Sequence, residues 1–415
     1  MTWLDATSAG ADSYLCDTVH LLWPAPAQLS TTSRGVDGRG QARSYLVVPS
    51  ARRPKVLIPA KPRRVAAAAI RGFKTTQDSR EAWILAALAA ALRFGGSAVL
   101  RDRLYVSAAP GAAGDDLESH LGAALNRPVH LSLHVSPPRA VRKPVLQLID
   151  DTGRTFGFAK VGIDPFTSRL VRDESETVRQ LLRIPWRALR VPRLLHTGTW
   201  HGRPLIVQEA LPRSAGGYGE PIIGIAMDEL ARVDGTESVV LSSSRYWRAL
   251  VGRSHRLPAT PLREVISRAL DTLAHWCGTA QVELGACHGD WTPWNMNIHN
   301  GRVQVWDWEK FTVGVPVGFD AAHCFVQRGV VWQARRPVDV FAELIERAEP
   351  VQRAHGLSLP AAQLTCWLYA LGLAVSYLED DETQVGTSPL TRLDGWLPQT
   401  LERAAVRTEW VGANS

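Results

Sequence analysis

The segment 286–311, ACHGDWTPWNMNIHNGRVQVWDWEKF, places two carboxylates and an amide among tryptophans. Asp290 lies between a glycine and a tryptophan, and Asn295 follows in a stretch that contains Pro293. Asp307 ends an apolar run that the turn sequence Asn-Gly-Arg directs back toward the same loop. We therefore expect these three polar side chains to converge on one point.

Oxygen donors of this kind suit a metal ion that also contacts phosphate. Mg²⁺ combines one or two carboxylates with waters and phosphate oxygens. One carboxylate can instead accept the proton of a hydroxyl nucleophile. Either aspartate alone could be an ordinary turn residue, so the expectation depends on the full set. The neighbouring aromatic residues are interpreted as packing residues: Trp291, Trp294, Trp306 and Trp308.

The two parts of this segment resemble the motifs of a known enzyme family. HGDWTPWN followed by VWDWE is similar to the HGDxxPxN and D-W-E motifs of the aminoglycoside phosphotransferase and choline kinase-like family, in the protein kinase-like superfamily. The resemblance implies that Asp290 is the catalytic base, Asn295 a metal ligand and Asp307 the principal metal ligand. For His288 it implies a packing and backbone-bonding role, and for Asp320, in GFDAAHC, a role in bracing the catalytic loop.

The same family requires a lysine–glutamate ion pair that holds the nucleotide phosphates. By resemblance, Lys160 in FGFAKVG is the lysine, although a lysine there could also protect a sheet edge from pairing. Glu174 is the favoured partner because Val178 and Leu181 follow at the family's spacing. Glu176 remains the alternative.

An adenine-binding hinge is implied further along the chain. The resemblance places it at Gln208, Glu209 and Ala210, in LIVQEALP, with contacts through main-chain groups. Side-chain identity at these positions therefore carries little information.

The phosphate-cradling loop departs from the glycine-rich pattern. The turn SPPRAVRK, residues 136–143, stands where that loop would lie, and Arg139 and Arg142 are its candidates for phosphate contact. His299 and His323 have no partner at metal-ligand spacing, so both are interpreted as ordinary polar or core histidines.

The elements that must position these residues fall into three segments. Residues 128–213 predict an antiparallel sheet of about five strands with one inserted helix at residues 173–183, and residues 214–415 predict a mostly helical lobe with one small hairpin. Residues 1–127 predict an accessory, cap-like module. The predicted fold class is α+β: a bilobal protein kinase-like fold with an antiparallel β-rich N-lobe and a mostly helical C-lobe, preceded by an extra N-terminal α/β module.

Composition limits the class of protein. The five cysteines are scattered, which favours reduced thiols over a disulfide framework or a zinc site. The apolar stretches 82–92 and 366–378 are shorter than a membrane-spanning helix, so no membrane partner is expected. The net charge of +7 is spread with little aromatic interleaving, which argues against a nucleic-acid partner. The start of the chain lacks the pattern of a signal peptide, so a cytoplasmic location is expected.

Together these features predict an ATP- and Mg²⁺-dependent kinase of a small hydroxylated molecule, with another nucleoside triphosphate left open. The acceptor would be a sugar, amino sugar, aminoglycoside or amino alcohol. The acidic run 378–383 could attract a cationic acceptor or could be a solvated surface. A catalytically silent, kinase-like nucleotide-binding or scaffold protein is the alternative. A protein partner for the N-terminal module has no support in the sequence, and a protein kinase is disfavoured by the short distance between Asp307 and Asp320.

Overall fold

The computed structural model of the protein describes residues 13–32, 43–72, 79–96, 100–107, 116–135, 142–212, 219–379 and 388–406. The chain divides into two compact units. Unit 1 comprises residues 1–137, 141–175 and 193–211, and unit 2 comprises residues 138–140, 176–192 and 212–415.

Strands and helices alternate irregularly along the described residues. The strands are β1 (Gln28–Thr32), β2 (Arg43–Val48), β3 (Val56–Pro59), β4 (Arg103–Ser107), β5 (His130–His134), β6 (Val145–Ile149), β7 (Thr155–Val161), β8 (Leu189–Arg190), β9 (Leu194–Trp200), β10 (Arg203–Glu209), β11 (Glu237–Val240), β12 (Gln281–Cys287), β13 (Met296–His299), β14 (Arg302–Val305) and β15 (Thr312–Pro316). The helices are α1 (Ser13–Leu22), α2 (Arg63–Gly72), α3 (Ser79–Arg93), α4 (Leu117–Leu125), α5 (Pro165–Leu181), α6 (Glu220–Ala231), α7 (Arg245–Arg256), α8 (Pro261–Cys277), α9 (Phe319–Gln327), α10 (Pro337–Glu346), α11 (Ala348–Val351), α12 (Leu359–Glu379) and α13 (Leu397–Val406).

Unit 1 is built on one antiparallel sheet. Among the described residues it has nine strands, in the order β1-β4-β2-β3-β5-β6-β7-β10-β9. Side chains alternate between the two faces of a strand, and in β2 Val47 belongs to one buried cluster whereas Leu46 and Val48 belong to another. The sheet therefore carries an apolar core on each face.

The N-terminal strands join this sheet through β3. Leu57 of β3 is paired with Leu133 of β5, and the Val135 N–H donates to the Lys55 carbonyl over 3.0 Å. The N-terminal module contains both helices and strands, as predicted, and the strand pairs among its described residues are antiparallel. The boundary predicted between residues 127 and 128 remains a prediction, and the strands on its two sides belong to one sheet.

The inserted helix α5 begins earlier than the sequence pattern indicated. We predicted a helix over residues 173–183, and the structure starts it at Pro165. The Thr167 N–H donates to Asp164 Oδ1 over 2.8 Å, which caps the first turn, and proline is well suited to the first helical position. The prediction was wrong here because the Asp-Pro cap was not recognised.

Unit 2 is mostly helical, and its described residues also form two small sheets. One is the predicted hairpin β13–β14 with the short strand β8 added in parallel. The other, β11-β12-β15, was not predicted. Its central strand β12 matters for the site because it leads directly into the HGD motif.

Helix α12 lies at the core of unit 2. By length and composition this helix could cross a membrane, but most of its apolar stretch is buried within the protein. Leu368, Leu371 and Val375 are fully buried there. These side chains pack within the buried cluster of unit 2. The predicted fold class, α+β with an antiparallel β-rich part and a mostly helical part, is confirmed.

Candidate active site

The HGD motif leaves β12 through a backbone turn that only glycine fits well. Gly289 has a φ of 79°, and a Cβ atom at this position would overlap the main-chain oxygen of Lys310. Glycine accepts this left-handed conformation and the close approach at little cost. The glycine of the HGD motif is therefore required by the close approach of this loop to Lys310, in the segment after Asp307.

Asp320 braces this loop from helix α9. Its two carboxylate oxygens accept the N–H groups of His288 at 2.7 Å and of Gly289 at 3.1 Å. Asp320 is buried, and burial raises the pKa of its carboxyl above the ordinary value despite these hydrogen bonds and the nearby His288. The bracing role that the resemblance implied corresponds to these contacts.

His288 links the two motif segments. Its Nδ1 accepts the N–H of Asp290 at 3.1 Å, so Nε2 carries the proton that it donates to the Trp306 carbonyl at 3.1 Å. Burial lowers the pKa of this imidazole, which keeps it neutral at physiological pH. Its ring also packs edge-on against Trp308 with centroids 4.6 Å apart. His288 therefore positions backbone, as the resemblance implied.

The carboxylate of Asp290 is held at both oxygens. Oδ2 accepts from Asn295 Nδ2 at 3.0 Å, and Oδ1 lies 3.1 Å from His323 Nε2. Burial favours the protonated acid, but the His323 hydrogen bond and the charge of Lys310 outweigh it and lower the pKa of Asp290. About a quarter of the side chain stays exposed, at 27%. An ionised, partly accessible carboxylate is what a base toward a hydroxyl requires.

Asn295 and Asp307 fit a hard divalent cation. Asn295 Nδ2 donates to both the carbonyl and the carboxylate of Asp290, which assigns the amide orientation and leaves Oδ1 as its oxygen donor. Asp307 has φ 71° and ψ 57°, a left-handed conformation that is uncommon outside glycine and often marks functional positions. Two oxygen donors of this type match the preference of Mg²⁺.

The tryptophans around the motif differ in their surroundings. Trp291 and Trp308 are fully buried and donate their indole N–H groups to Met296 Sδ and to the Val305 carbonyl, so the packing interpretation is correct for both. It is wrong for Trp294, whose exposure is 44%. The local pattern could not show this, because the tight turn before Asn295 decides which side chain points outward.

In unit 1, Lys160 and Glu174 form a buried ion pair. Lys160 Nζ donates to both Glu174 carboxylate oxygens, at 2.6 and 2.7 Å, and Glu174 is fully buried. Val178 and Leu181, which suggested this register, are also buried. The alternative, Glu176, is exposed and pairs with Arg179 on the same helix.

The three predicted hinge residues, Gln208, Glu209 and Ala210, make different kinds of hydrogen bond. Gln208 is buried, and its side-chain Nε2 donates to Glu174 Oε1 at 3.0 Å. The side chain of Gln208 therefore helps to hold the Glu174 carboxylate, whereas the sequence analysis expected contacts through main-chain groups alone. The N–H groups of Glu209 and Ala210 donate to the carbonyls of Arg193 and Phe156, both at 2.9 Å. These two donors are already used within the protein.

Lys143 was missed by the sequence reasoning. It ends the turn that replaces the glycine-rich loop, and its Nζ lies 3.8 Å from Glu174 Oε2 with only 10% of its side chain exposed. Arg142 lies over the ring of Tyr14 at 4.6 Å, and Arg139 falls outside the described residues. The sequence offered a reason to consider Lys143, because lysine is rare in this chain and arginine is far more common.

His323 was also missed as a site residue. It was interpreted as an ordinary histidine, yet it contacts the Asp290 carboxylate from helix α9. It lies three positions after Asp320, so one helical turn presents both side chains to the same loop.

The sequence profile of the phosphotransferase enzyme family matches residues 168–357. The chain carries a phosphotransferase-family region. This region contains the complete HGDxxPxN motif and Asp307, and it begins within α5 after Lys160. The resemblance found in the motifs is thereby confirmed. Comparison with curated protein sequences finds no significant match.

Solved structures resemble the chain at low identity. Aminoglycoside phosphotransferase APH(4)-Ia has 17% identity and a TM-score of 0.48, over 72% of this chain and 99% of that chain. A putative fructosamine-3-kinase from Haemophilus somnus 129PT has 13% identity and a TM-score of 0.42, over 70% and 97%. Amicoumacin kinase hAmiN, in complex with AMP-PNP, Ca²⁺ and Ami, has 11% identity and a TM-score of 0.40, over 67% and 87%. Because the sequence identities and TM-scores are this low, the similarities to these structures do not indicate which substrate this chain uses.

Proposed function

We propose that this protein is a Mg²⁺-dependent ATP:small-molecule phosphotransferase that phosphorylates a hydroxyl group. The observation that carries the proposal is the Asp290 carboxylate, ionised, partly exposed and held at both oxygens within a complete HGDxxPxN motif. A phosphoryl-transfer enzyme needs little covalent chemistry from the protein beyond positioning and charge stabilisation. Asp290 would orient the acceptor hydroxyl and accept its proton.

The remaining roles divide between the two units. In unit 1, Lys160, oriented by Glu174, would hold the nucleotide phosphates, and Gln208 and Lys143 support the same carboxylate. In unit 2, Asn295 and Asp307 would bind the metal. When bound, Mg-ATP would supply the γ-phosphoryl group and the cation that neutralises its developing charge.

Glu209 and Ala210 complete the proposed nucleotide-binding set. Their N–H groups are engaged by Arg193 and Phe156, so adenine would be recognised there through carbonyl groups or neighbouring main chain. This refines the hinge proposed from the sequence without changing its location.

The acceptor is proposed at the level of a hydroxylated small molecule: a sugar, amino sugar, aminoglycoside or amino alcohol. The acidic run at residues 378–383 gives little reason to prefer a cation. Its described acid, Glu379, pairs with Arg253 at 2.6 Å and is already neutralised, and residues 380–383 lie outside the described part of the chain. Neutral sugars therefore belong in the same test as cationic acceptors.

The test is a screen for acceptor-dependent ADP formation with Mg-ATP over neutral sugars, amino sugars, aminoglycosides, choline and other amino alcohols. We expect turnover with at least one class, and Asp290→Asn should reduce it by more than about 100-fold because the base is lost. Asp271→Asn, an exposed aspartate on α8, is the matched control and should retain activity. Tight ATP binding without turnover on any acceptor would favour the silent nucleotide-binding protein instead.

A further inference from the structure

Three side chains from different parts of unit 2 form a hydrogen-bonded chain that ends on Asp290. Tyr369 on α12 places its hydroxyl 3.0 Å from His323 Nδ1, and His323 Nε2 lies 3.1 Å from Asp290 Oδ1. Tyr369 and His323 are 5% and 7% exposed. A buried chain of this kind has few ways to satisfy its donors and acceptors, so its proton positions can be deduced.

The hydrogen bonds at Asp290 determine the direction of the chain. Oδ2 accepts from Asn295 Nδ2, and Oδ1 faces His323 Nε2. Asp290 can only accept, so His323 Nε2 must carry a proton and donate it. A neutral imidazole that carries its proton on Nε2 has Nδ1 as an acceptor, and the hydroxyl of Tyr369 is the donor that faces it. Burial raises the pKa of Tyr369 well above its ordinary value, so the hydroxyl keeps its proton. Each donor thus meets one acceptor along the whole chain.

We propose that His323, held in its Nε2–H tautomer by Tyr369, is a positioning residue that fixes the orientation of the Asp290 carboxylate toward the acceptor hydroxyl. The inference rests on the proposed function, because it assigns Asp290 as the base. Asn295 holds Oδ2 and His323 holds Oδ1, so the carboxylate plane cannot rotate without breaking one of two hydrogen bonds. The lone pairs left over define where a hydroxyl can approach.

The geometry also explains why one contact would not be enough. Asn295 Nδ2 bonds both the carbonyl and the carboxylate of Asp290 from within the same loop, so it moves with that loop. His323 comes from helix α9, whose Asp320 anchors the loop backbone, and therefore ties the carboxylate to a rigid element. A general base that is oriented by a third group is a common arrangement in catalytic sites.

Kinetics of variants provide one test. His323→Asn, too short to reach Oδ1, should lower kcat about 10- to 100-fold with KM for ATP nearly unchanged, because misorientation affects the reaction step more than nucleotide binding. His323→Gln, whose amide can extend an N–H toward Oδ1, should restore most of the lost kcat. Tyr369→Phe should lie between the wild type and His323→Asn.

His355→Asn is the matched control. His355 is likewise a buried histidine paired with an aspartate in unit 2, Asp228 at 3.0 Å, but it does not contact Asp290. It should lower the melting temperature as His323→Asn does while kcat stays within about twofold of wild type. An equal loss of kcat in both variants, or unchanged kcat in His323→Asn and Tyr369→Phe, would overturn the proposal.

Nitrogen NMR of histidine-labelled protein tests the same chain without any substrate. The His323 resonances, assigned by their loss in His323→Gln, should show a protonated Nε2, and Tyr369→Phe should shift Nδ1. An unprotonated Nε2 would contradict the proposal even in an active enzyme. If no acceptor is turned over by wild-type protein, the proposed function fails, and the NMR result still decides whether the chain exists.

Discussion

At the scale of single residues, the buried pair of Lys160 and Glu174 should affect the stability of the protein as well as the proposed nucleotide binding. A buried charge without its partner is strongly unfavourable, whereas replacing both partners by apolar groups is often neutral. When Lys160 is removed, the fully buried Glu174 keeps Gln208 as a hydrogen-bond donor and Lys143 Nζ as a charge 3.8 Å away. These two groups reduce the destabilisation but do not replace the close ion pair.

We expect Lys160→Met to lower the free energy of unfolding by about 3 kcal/mol and to weaken ATP binding strongly. The double variant Lys160→Met/Glu174→Leu should recover most of the stability but not the ATP binding. Urea denaturation and isothermal titration calorimetry measure the two quantities, and Lys55→Met, at an exposed lysine, is the control. Wild-type stability in the single variant, or normal ATP binding in the double variant, would refute this assignment.

Spacing predicted part of the candidate site and long-range contacts supplied the rest. Asp290, Asn295 and Asp307 fall in motifs short enough to be recognised locally, and Glu174 followed from its helical register. His323 and Tyr369 could not be found in this way, because 33 and 46 residues separate the partners of their hydrogen bonds. Only the packing of α9 against α12 brings them together.

At the scale of elements, the HGD loop and the turn of the hairpin β13–β14 each contain a glycine with positive φ, and the two glycines differ in their surroundings. Gly289 has positive φ and no room for a Cβ, whereas Gly301, in the hairpin turn, has a φ of 71° with nothing within 4 Å of the added atom. The two positions therefore separate steric overlap from backbone strain.

Gly289→Ala should displace the catalytic loop from the Lys310 main chain and reduce turnover by more than about tenfold, because small shifts of catalytic groups have large effects. Gly301→Ala should cost only the left-handed strain, about 1 kcal/mol, with normal turnover. Thermal unfolding and steady-state kinetics of the two variants give the comparison. Equal activity in both would show that the overlap is relieved without moving Asp290.

Helices and strands were predicted best where the local sequence pattern alone determines where they begin and end. Strands β5 to β7, β9 and β10 follow the alternating pattern of the predicted five-stranded sheet, and helices α8, α10 and α12 follow the helical pattern predicted for residues 214–415. The sheet β11-β12-β15 was missed because its strands lie far apart in the chain, with 40 residues between the end of β11 and the start of β12. The physical reason is that the local pattern of a strand does not identify the distant strand with which it pairs.

At the scale of the whole molecule, the N-terminal strands β1 to β4 share a sheet with β5 to β7, β9 and β10. Residues from Tyr14 to Val207 contribute to one buried cluster, which includes Leu57 of β3 and Leu133 of β5. The buried cluster on the other face comes from residues 46–100, joined by Ile149 of β6. On the first face, the N-terminal segment therefore shares its core with the strands that follow residue 127. The sequence could not show this, because a strand pattern does not identify its partner.

Native-state hydrogen exchange tests this connection. Amides of β2 and β3 should open with the same free energy and the same denaturant dependence as those of β5 and β6, since a shared core opens as one cooperative unit. Leu57→Ala should lower protection on both sides of residue 127. Loss of protection confined to β1–β4 would instead identify an independently folding cap and support the boundary predicted from the sequence.

The most direct test of the central claim is the identity of the phosphorylated product. Phosphorus NMR of wild-type protein with Mg-ATP and the acceptor found in the screen should show a new phosphomonoester signal that grows in step with ADP, and Asp290→Asn should show neither. This result would establish transfer to a small-molecule hydroxyl. Release of inorganic phosphate alone, or phosphate retained on the protein, would contradict the account.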